Sequence, residues 1–120
     1  MKCEVEFTDE FFQWWQTLHD NQQDEVASVV GLLEEHGVGL GFPRSSDVRG
    51  SSHGNMRELR IQIEGDSYRI FYTFDPRRIA VLLVGGRKTG GFGWYDRMHI
   101  KADRLFEEHL SDVERSEGEV

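Results

Sequence analysis

Residues 57–88 constrain the fold of this chain more than any other stretch. They read Arg-Glu-Leu-Arg-Ile-Gln-Ile over 57–63, Tyr-Arg-Ile-Phe-Tyr over 68–72 and Ile-Ala-Val-Leu-Leu-Val over 79–84. Between the runs lie Glu64-Gly65-Asp66-Ser67 and Asp75-Pro76-Arg77-Arg78, both turn signals. Three short β-rich runs joined by one tight and one wider turn predict an antiparallel meander. A chain containing it cannot be an all-helical bundle. Gly85-Gly86-Arg87-Lys88-Thr89-Gly90 closes the third run.

Alternate residues of a strand share a face. A first turn at Gly65-Asp66 places Gln62 across from Arg69 and Arg60 across from Phe71, with Arg60 and Arg69 as diagonal neighbours. Leu59, Ile61, Ile63, Tyr68, Ile70 and Tyr72 then form one apolar side. Arg60, Gln62, Arg69 and Phe71 form the other, open side. A second turn pairing Phe74 with Ile79 adds Leu82 and Val84 to that open side. Lys88 joins them if no bulge intervenes. Two neighbouring arginines repel, and a bound phosphate would remove that cost.

Charge is distributed unevenly. Residues 1–36 carry nine acids against Lys2, and residues 105–120 carry six against Arg115. Residues 57–104 hold ten cations against six acids, in a chain whose net charge is −8. A basic, β-rich centre in an acidic protein points to a polyanionic ligand.

The 120 residues suffice for one domain with one modest core. No apolar run approaches the ~20 residues of a membrane span, and the acidic N-terminus is no signal peptide, so a cytoplasmic location is expected. The single cysteine, Cys3, excludes an internal disulfide and reads as a small strand residue.

Residues 2–7 alternate as a short strand. Thr8 or Asp9 caps a helix carrying Phe11, Trp14, Trp15 and Leu18. A second helix, Gln22 to His36, aligns Val26, Val29, Val30 and Leu33 and stops at Gly37. The two predict an antiparallel hairpin packed on one sheet face. Residues 37–56, rich in Gly and Ser around Pro43, read as a long functional loop. The last helix is expected from about Trp94 to Leu110. This gives an α+β order β-α-α-β-β-β-α, with a single domain over 1–110 and a frayed polar tail over 111–120.

That order, with an Arg-Glu-Leu-Arg strand, a Tyr-Arg-Ile-Phe-Tyr strand and a Gly-x-x-Lys loop, resembles the RelE/ParE toxin superfamily, in particular its phage-derived HigB-like branch. The resemblance covers Val5 to Leu110. It implies a toxin of a type II toxin–antitoxin module. Most RelE- and HigB-type members cut ribosome-bound mRNA without a metal, which implies an endoribonuclease needing no cofactor. A gyrase-poisoning ParE-like toxin, or an inactive member that only binds a partner, are the alternatives. The implied partners are a cognate antitoxin, of helix-turn-helix type, and the ribosome with its mRNA.

The central strand arginine of the family matches Arg69, and its later basic residues match Arg87 and Lys88. RNA cleavage by this route must deprotonate a ribose 2′-OH, stabilise a phosphorane and protonate the leaving 5′-oxygen. Arg69 suits the phosphate because a guanidinium donates in a fixed fork. Lys88 is the candidate base if neighbouring cations lower its pKa. Arg60 would position the scissile phosphate, and Tyr95 is a candidate for proton transfer or stacking. Arg57, Arg87 and His53 are expected to touch RNA, although a solvated loop residue is the simpler reading of His53. The remaining histidines show no metal-ligand spacing, so no metal site is expected. Arg77 and Arg78 fall in a turn, where solubility alone explains them.

Overall fold

The computed structural model describes residues 1–118. Strand β1 (Val5–Phe7) is followed by helices α1 (Asp9–Gln16) and α2 (Asp20–His36). A 3-10 turn, Gly37–Gly39, leads to β2 (Ser45–Asp47), then β3 (Arg57–Ile63), β4 (Asp66–Phe74), β5 (Ala80–Arg87) and α3 (Phe92–Gly118). The five strands lie in the order β1-β5-β4-β3-β2, with β1 parallel to β5 and the other pairs antiparallel. The expected α+β order is present. The 37–56 loop contains one additional short strand, β2.

Helix α1 starts where expected. Thr8 accepts from the Phe11 amide at 3.0 Å, and its own hydroxyl donates to Leu83 O at 2.6 Å, which ties the cap to β5. Phe11, Val26, Val29 and Leu33 from the helix pair bury against Leu59, Ile61, Ile63, Tyr68, Ile70 and Tyr72. That apolar side of the meander is the predicted one. Cys3 joins it, donating to Leu33 O at 3.4 Å. Burial pushes its thiol pKa up, with help from Glu34, so it is no reactive thiolate.

The registers differ from expectation in two places. The first turn is Glu64-Gly65, both at positive φ (50° and 86°), which is the backbone a two-residue hairpin with right-handed twist requires. Asp66 therefore stays in β4 opposite Ile63, and Arg60 faces Arg69 directly rather than diagonally. The shift spans two residues, so every side chain keeps its face. The second difference is a bulge in the β4–β5 ladder between Phe71 and Tyr72. Phe71 pairs with Val84 but Tyr72 with Leu82, and Phe74 pairs with Ala80. The bulge returns Leu82 to the helix-pair core and leaves Leu83 and Val84 on the opposite side.

That opposite side is not open. Helix α3 crosses it, and Trp94, Ala102 and Phe106 bury against Phe71, Val81, Leu83, Val84 and Met56. Two glycines admit both layers. A Cβ on Gly85 would strike the Trp14 ring, and one on Gly86 would meet Met98 at 3.2 Å and Trp94 at 3.4 Å. Helix α3 also runs past Leu110 to Gly118, through residues expected to fray. Positions 111–117 contain neither Gly nor Pro. Arg115 and Asp112 pair there at 3.4 Å along one face.

Candidate functional site

The β2–β3 register places Ser45 opposite Leu59, and the Arg60 amide donates to Arg44 O at 2.8 Å. Arg44, one residue before β2, therefore stands in one row with Arg60 of β3 and Arg69 of β4, on the face shared with α3. Like charges directly opposite one another repel, so each needs a local answer.

For Arg69 the answer is a buried carboxylate. Arg69 is 3% exposed and Glu58 is 6% exposed. Glu58 Oε2 lies 3.6 Å from Arg69 Nε. Tyr95, reaching in from the first turn of α3, joins the two. Its hydroxyl accepts from Arg69 Nε at 3.2 Å and donates to Glu58 Oε1 at 3.2 Å. Ser46 also donates to Glu58 Oε1, at 3.2 Å. Arg69 Nη1 donates to Tyr68 O at 3.0 Å. Glu58 Oε2 is buried and has no hydrogen-bond partner among the described residues. Burial pushes the Tyr95 phenol above its ordinary pKa; the Arg69 bond opposes this and the Glu58 charge reinforces it. The phenol thus stays protonated well into the alkaline range. Lys88 Nζ sits over the Tyr95 ring, 5.4 Å from its centroid.

Arg60 is answered by an aromatic ring. Its guanidinium lies 5.2 Å from the centroid of Phe42. Phe42, Pro43, Arg44, Arg60, Gln62 and Arg69 line a pocket of about 220 Å³, and this pocket is where the buried Arg69 meets solvent. Arg44 and Arg60 take part in no salt bridge among the described residues. The pocket is a concave, cationic site with a protonated phenol behind it.

Of the residues expected here, the structure brings together Arg60, Arg69, Tyr95 and Lys88. It separates the other three. Arg57 alternates onto the opposite face, where it donates to Ser45 Oγ at 2.9 Å and pairs with Asp47 at 2.5 Å. Arg87 lies out of phase with Lys88 and pairs with Asp66 at 3.1 Å. His53 packs edge-on against Phe106, 3.6 Å from Glu107, about three helical turns along α3 from Tyr95. Sequence reasoning missed Glu58, Arg44 and Phe42. Glu58 could have been found, because it shares strand parity with Arg60 and is the one acid on that side of β3.

A second polar cluster occupies the far end of the sheet. Arg77, expected only to solubilise a turn, bridges Asp75 at 2.6 Å and Glu6 at 2.7 Å. His109 of α3 approaches Asp75 at 2.9 Å. Ligand-type atoms of Glu6, Asp75 and His109 lie within 4.8 Å of one another, a grouping that sequence spacing did not reveal. The Arg77 guanidinium already supplies their counter-charge. A larger cavity, of about 390 Å³, lies beneath Val5, Phe7, Phe12, Trp15 and Val30, with Glu34 as its charged group. It offers nothing that would bind a phosphate. No helix among the described residues is long and apolar enough to cross a membrane.

Residues 13–107 match the family model described as Phage derived protein Gp49-like (DUF891). The toxin candidate HigB2 of Mycobacterium tuberculosis is 42% identical over 103 residues, which cover 84% of this chain and 51% of that protein. The chain thus spans about half the length of that relative. The toxin candidate HigB3 of the same organism is 39% identical over 100 residues, 82% of this chain and 86% of its own length. Among solved structures, the intact RelBE toxin–antitoxin complex of E. coli aligns with a TM-score of 0.56 at 12% identity, over 73% of this chain and 99% of the matched one. The archaeal RelE–RelB complex of Pyrococcus horikoshii aligns at 0.54 and 16%, over 76% and 100%. At those identities the structures speak for the fold, and the sequence matches for the family. The chain belongs to the phage-derived Gp49-like family, a HigB-like branch of proteins with the RelE fold.

Proposed function

We propose that the protein is the toxin of a toxin–antitoxin module and cleaves mRNA on the ribosome by side-chain chemistry. The observation that supports this most is the row Arg44–Arg60–Arg69 ending on a protonated Tyr95, with Lys88 alongside. Attack of a ribose 2′-oxygen on the adjacent phosphorus forms a 2′,3′-cyclic phosphate and breaks the bond to the 5′-oxygen. Arg69 holds the phosphate and the charge that grows on its free oxygens. Its rigidity comes from Glu58 and Tyr95, and a preorganised donor spends little energy on reorganisation. Arg60 holds the same phosphate from the next strand. Lys88, in its neutral amine form, receives the 2′-proton. The Tyr95 phenol, kept neutral by burial, gives its proton to the leaving oxygen.

An antitoxin is the expected partner that keeps the protein silent. Expression without antitoxin should arrest growth and produce cuts in mRNA that depend on translation. Intact mRNA accompanied by double-strand DNA breaks would overturn the reading in favour of gyrase poisoning.

A further inference from the structure

The pocket beside Arg69 contains more than phosphate chemistry requires. Phe42 is 75% exposed, although one side of its ring lies against the Arg60 guanidinium. It stands on an ordered turn. The amides of Arg44 and Ser45 both donate to Gly41 O, at 3.2 and 3.1 Å, and Arg44 O accepts from the Arg60 amide. The ring is therefore held at the pocket rim while most of its surface faces solvent. Leaving a phenyl group in water forgoes the favourable burial of its apolar area, so a fixed, exposed aromatic at a cationic pocket invites a flat ligand. Gln62, also on the rim and exposed, exchanges hydrogen bonds with Ser67 Oγ at 2.9 and 3.2 Å and keeps one further amide N–H and one carbonyl lone pair, the set needed to meet a base edge. Arg44, at the outer end of the arginine row, is exposed and unpaired among the described residues.

We propose that Phe42, Arg44 and Gln62 form a nucleotide subsite for single-stranded RNA, adjoining the scissile phosphate at Arg69. Phe42 stacks on the neighbouring base. Arg44 binds the phosphate next along the strand, and Gln62 meets the edge of the stacked base. Arg60 lies between the two phosphates and serves both. The proposal rests on the ribonuclease reading and adds to it a place where the enzyme selects sequence context.

The probe is a fluorescent, single-stranded RNA heptamer carrying 2′-O-methyl groups, which bind but cannot be cut. Anisotropy at low salt compares the wild type with Phe42→Ala, Phe42→Trp and Arg44→Ala. Phe42→Ala should bind about tenfold more weakly, and Phe42→Trp at least as tightly as wild type. Wild type and Phe42→Ala should become equal on a heptamer made abasic at the stacked position. Arg44→Ala should flatten the dependence of log Kd on log salt by about 0.7, the contribution of one single-strand phosphate. Because Phe42 is exposed, its variants should melt with the wild type. A wild type that binds, matched by Phe42→Ala on every heptamer, overturns the subsite and leaves the ribonuclease reading standing. A wild type that does not bind the heptamer overturns the subsite, while the ribonuclease reading stands or falls on the translation-dependent cuts in mRNA. Phe42→Ala that loses antitoxin affinity but keeps RNA affinity overturns the subsite and assigns the ring to the protein partner.

Discussion

Two clusters of buried charge sit at opposite ends of this sheet, and they are built on different plans. Around Asp75, acceptors and donors balance. Its two oxygens receive the Arg77 amide, Arg77 Nε and Nη2, the Ile79 amide and His109, and Glu6 takes the remaining reach of Arg77. Burial alone would raise the Asp75 pKa, but the His109 and Arg77 bonds outweigh it and hold the carboxyl below its ordinary range. Around Arg69 the account does not close. One carboxylate faces a row of three arginines, one of its oxygens has no hydrogen-bond partner among the described residues, and the surplus positive charge opens on a pocket. A cluster that satisfies itself fastens β1, the β4–β5 turn and α3. A cluster left positive is held together by the fold so that something else can satisfy it.

The strongest way to break this comparison is Arg69→Ala. It should abolish growth arrest and also cost about 3–5 kcal/mol, because Glu58 is left buried without its partner. Combining Arg69→Met with Glu58→Leu should return most of the stability and none of the activity. Denaturant melts and growth curves test both. A single variant as stable as wild type would mean that the pair is not coupled.

Tyr95→Phe sharpens the contrast at lower cost. Removal of the hydroxyl should lower the cleavage rate by about 10²-fold or more, with a stability change of about 1 kcal/mol. Since the phenol pKa is raised, wild-type cleavage should show no loss of the tyrosine proton between neutral pH and mildly alkaline pH. A Tyr95→Phe enzyme with undiminished rate would remove Tyr95 from the reaction.

Asp75→Asn probes the closed cluster. It should cost about 1–3 kcal/mol and leave RNA affinity of the folded protein unchanged. The folded carboxyl has the lower pKa, so its contribution is fully present above the unfolded value. It is lost as pH falls through the folded value. The wild type should therefore lose its advantage over Asp75→Asn in acid. An advantage that grows as pH falls would reverse the assignment of that pair.

The smallest effect belongs to Arg57→Ala. Arg57 pairs with an exposed Asp47 on the far face, so stability should fall by no more than about 1 kcal/mol. Heptamer affinity should stay within about twofold. A tenfold loss would place Arg57 on the RNA path after all.

Alternation along 57–72 was enough to read that Arg60 and Arg69 share a face opposite Leu59 and Ile61, because strand parity is local and survives a two-residue error in register. The helix pair was legible for a similar reason: Thr8 and Gly37 mark its ends, and Phe11, Trp14 and Leu18 keep helical spacing. Arg57 and Arg87 point away from the face of Arg60 and Arg69, which was not legible because positive charge is visible in sequence and its direction near a strand end is not. Leu82 was misplaced because a bulge has no signature among Ala, Val and Leu.

The sequence by itself therefore determined the elements other than β2, their order and the apolar side of the meander. Those follow from periodicity and capping, which act over a few residues. Only the tertiary structure decided that α3 would roof the second face, that Glu58 would sit beneath Tyr95, and that Arg44 and Phe42 from a loop would line up with Arg60. Each depends on long-range packing: Trp94 and Met98 settle on Gly86, and β2 adds itself to β3. The charge of Arg69 is written in the chain. Its burial, and with it the capacity to hold a phosphate rigidly, is created by residues more than ten positions away.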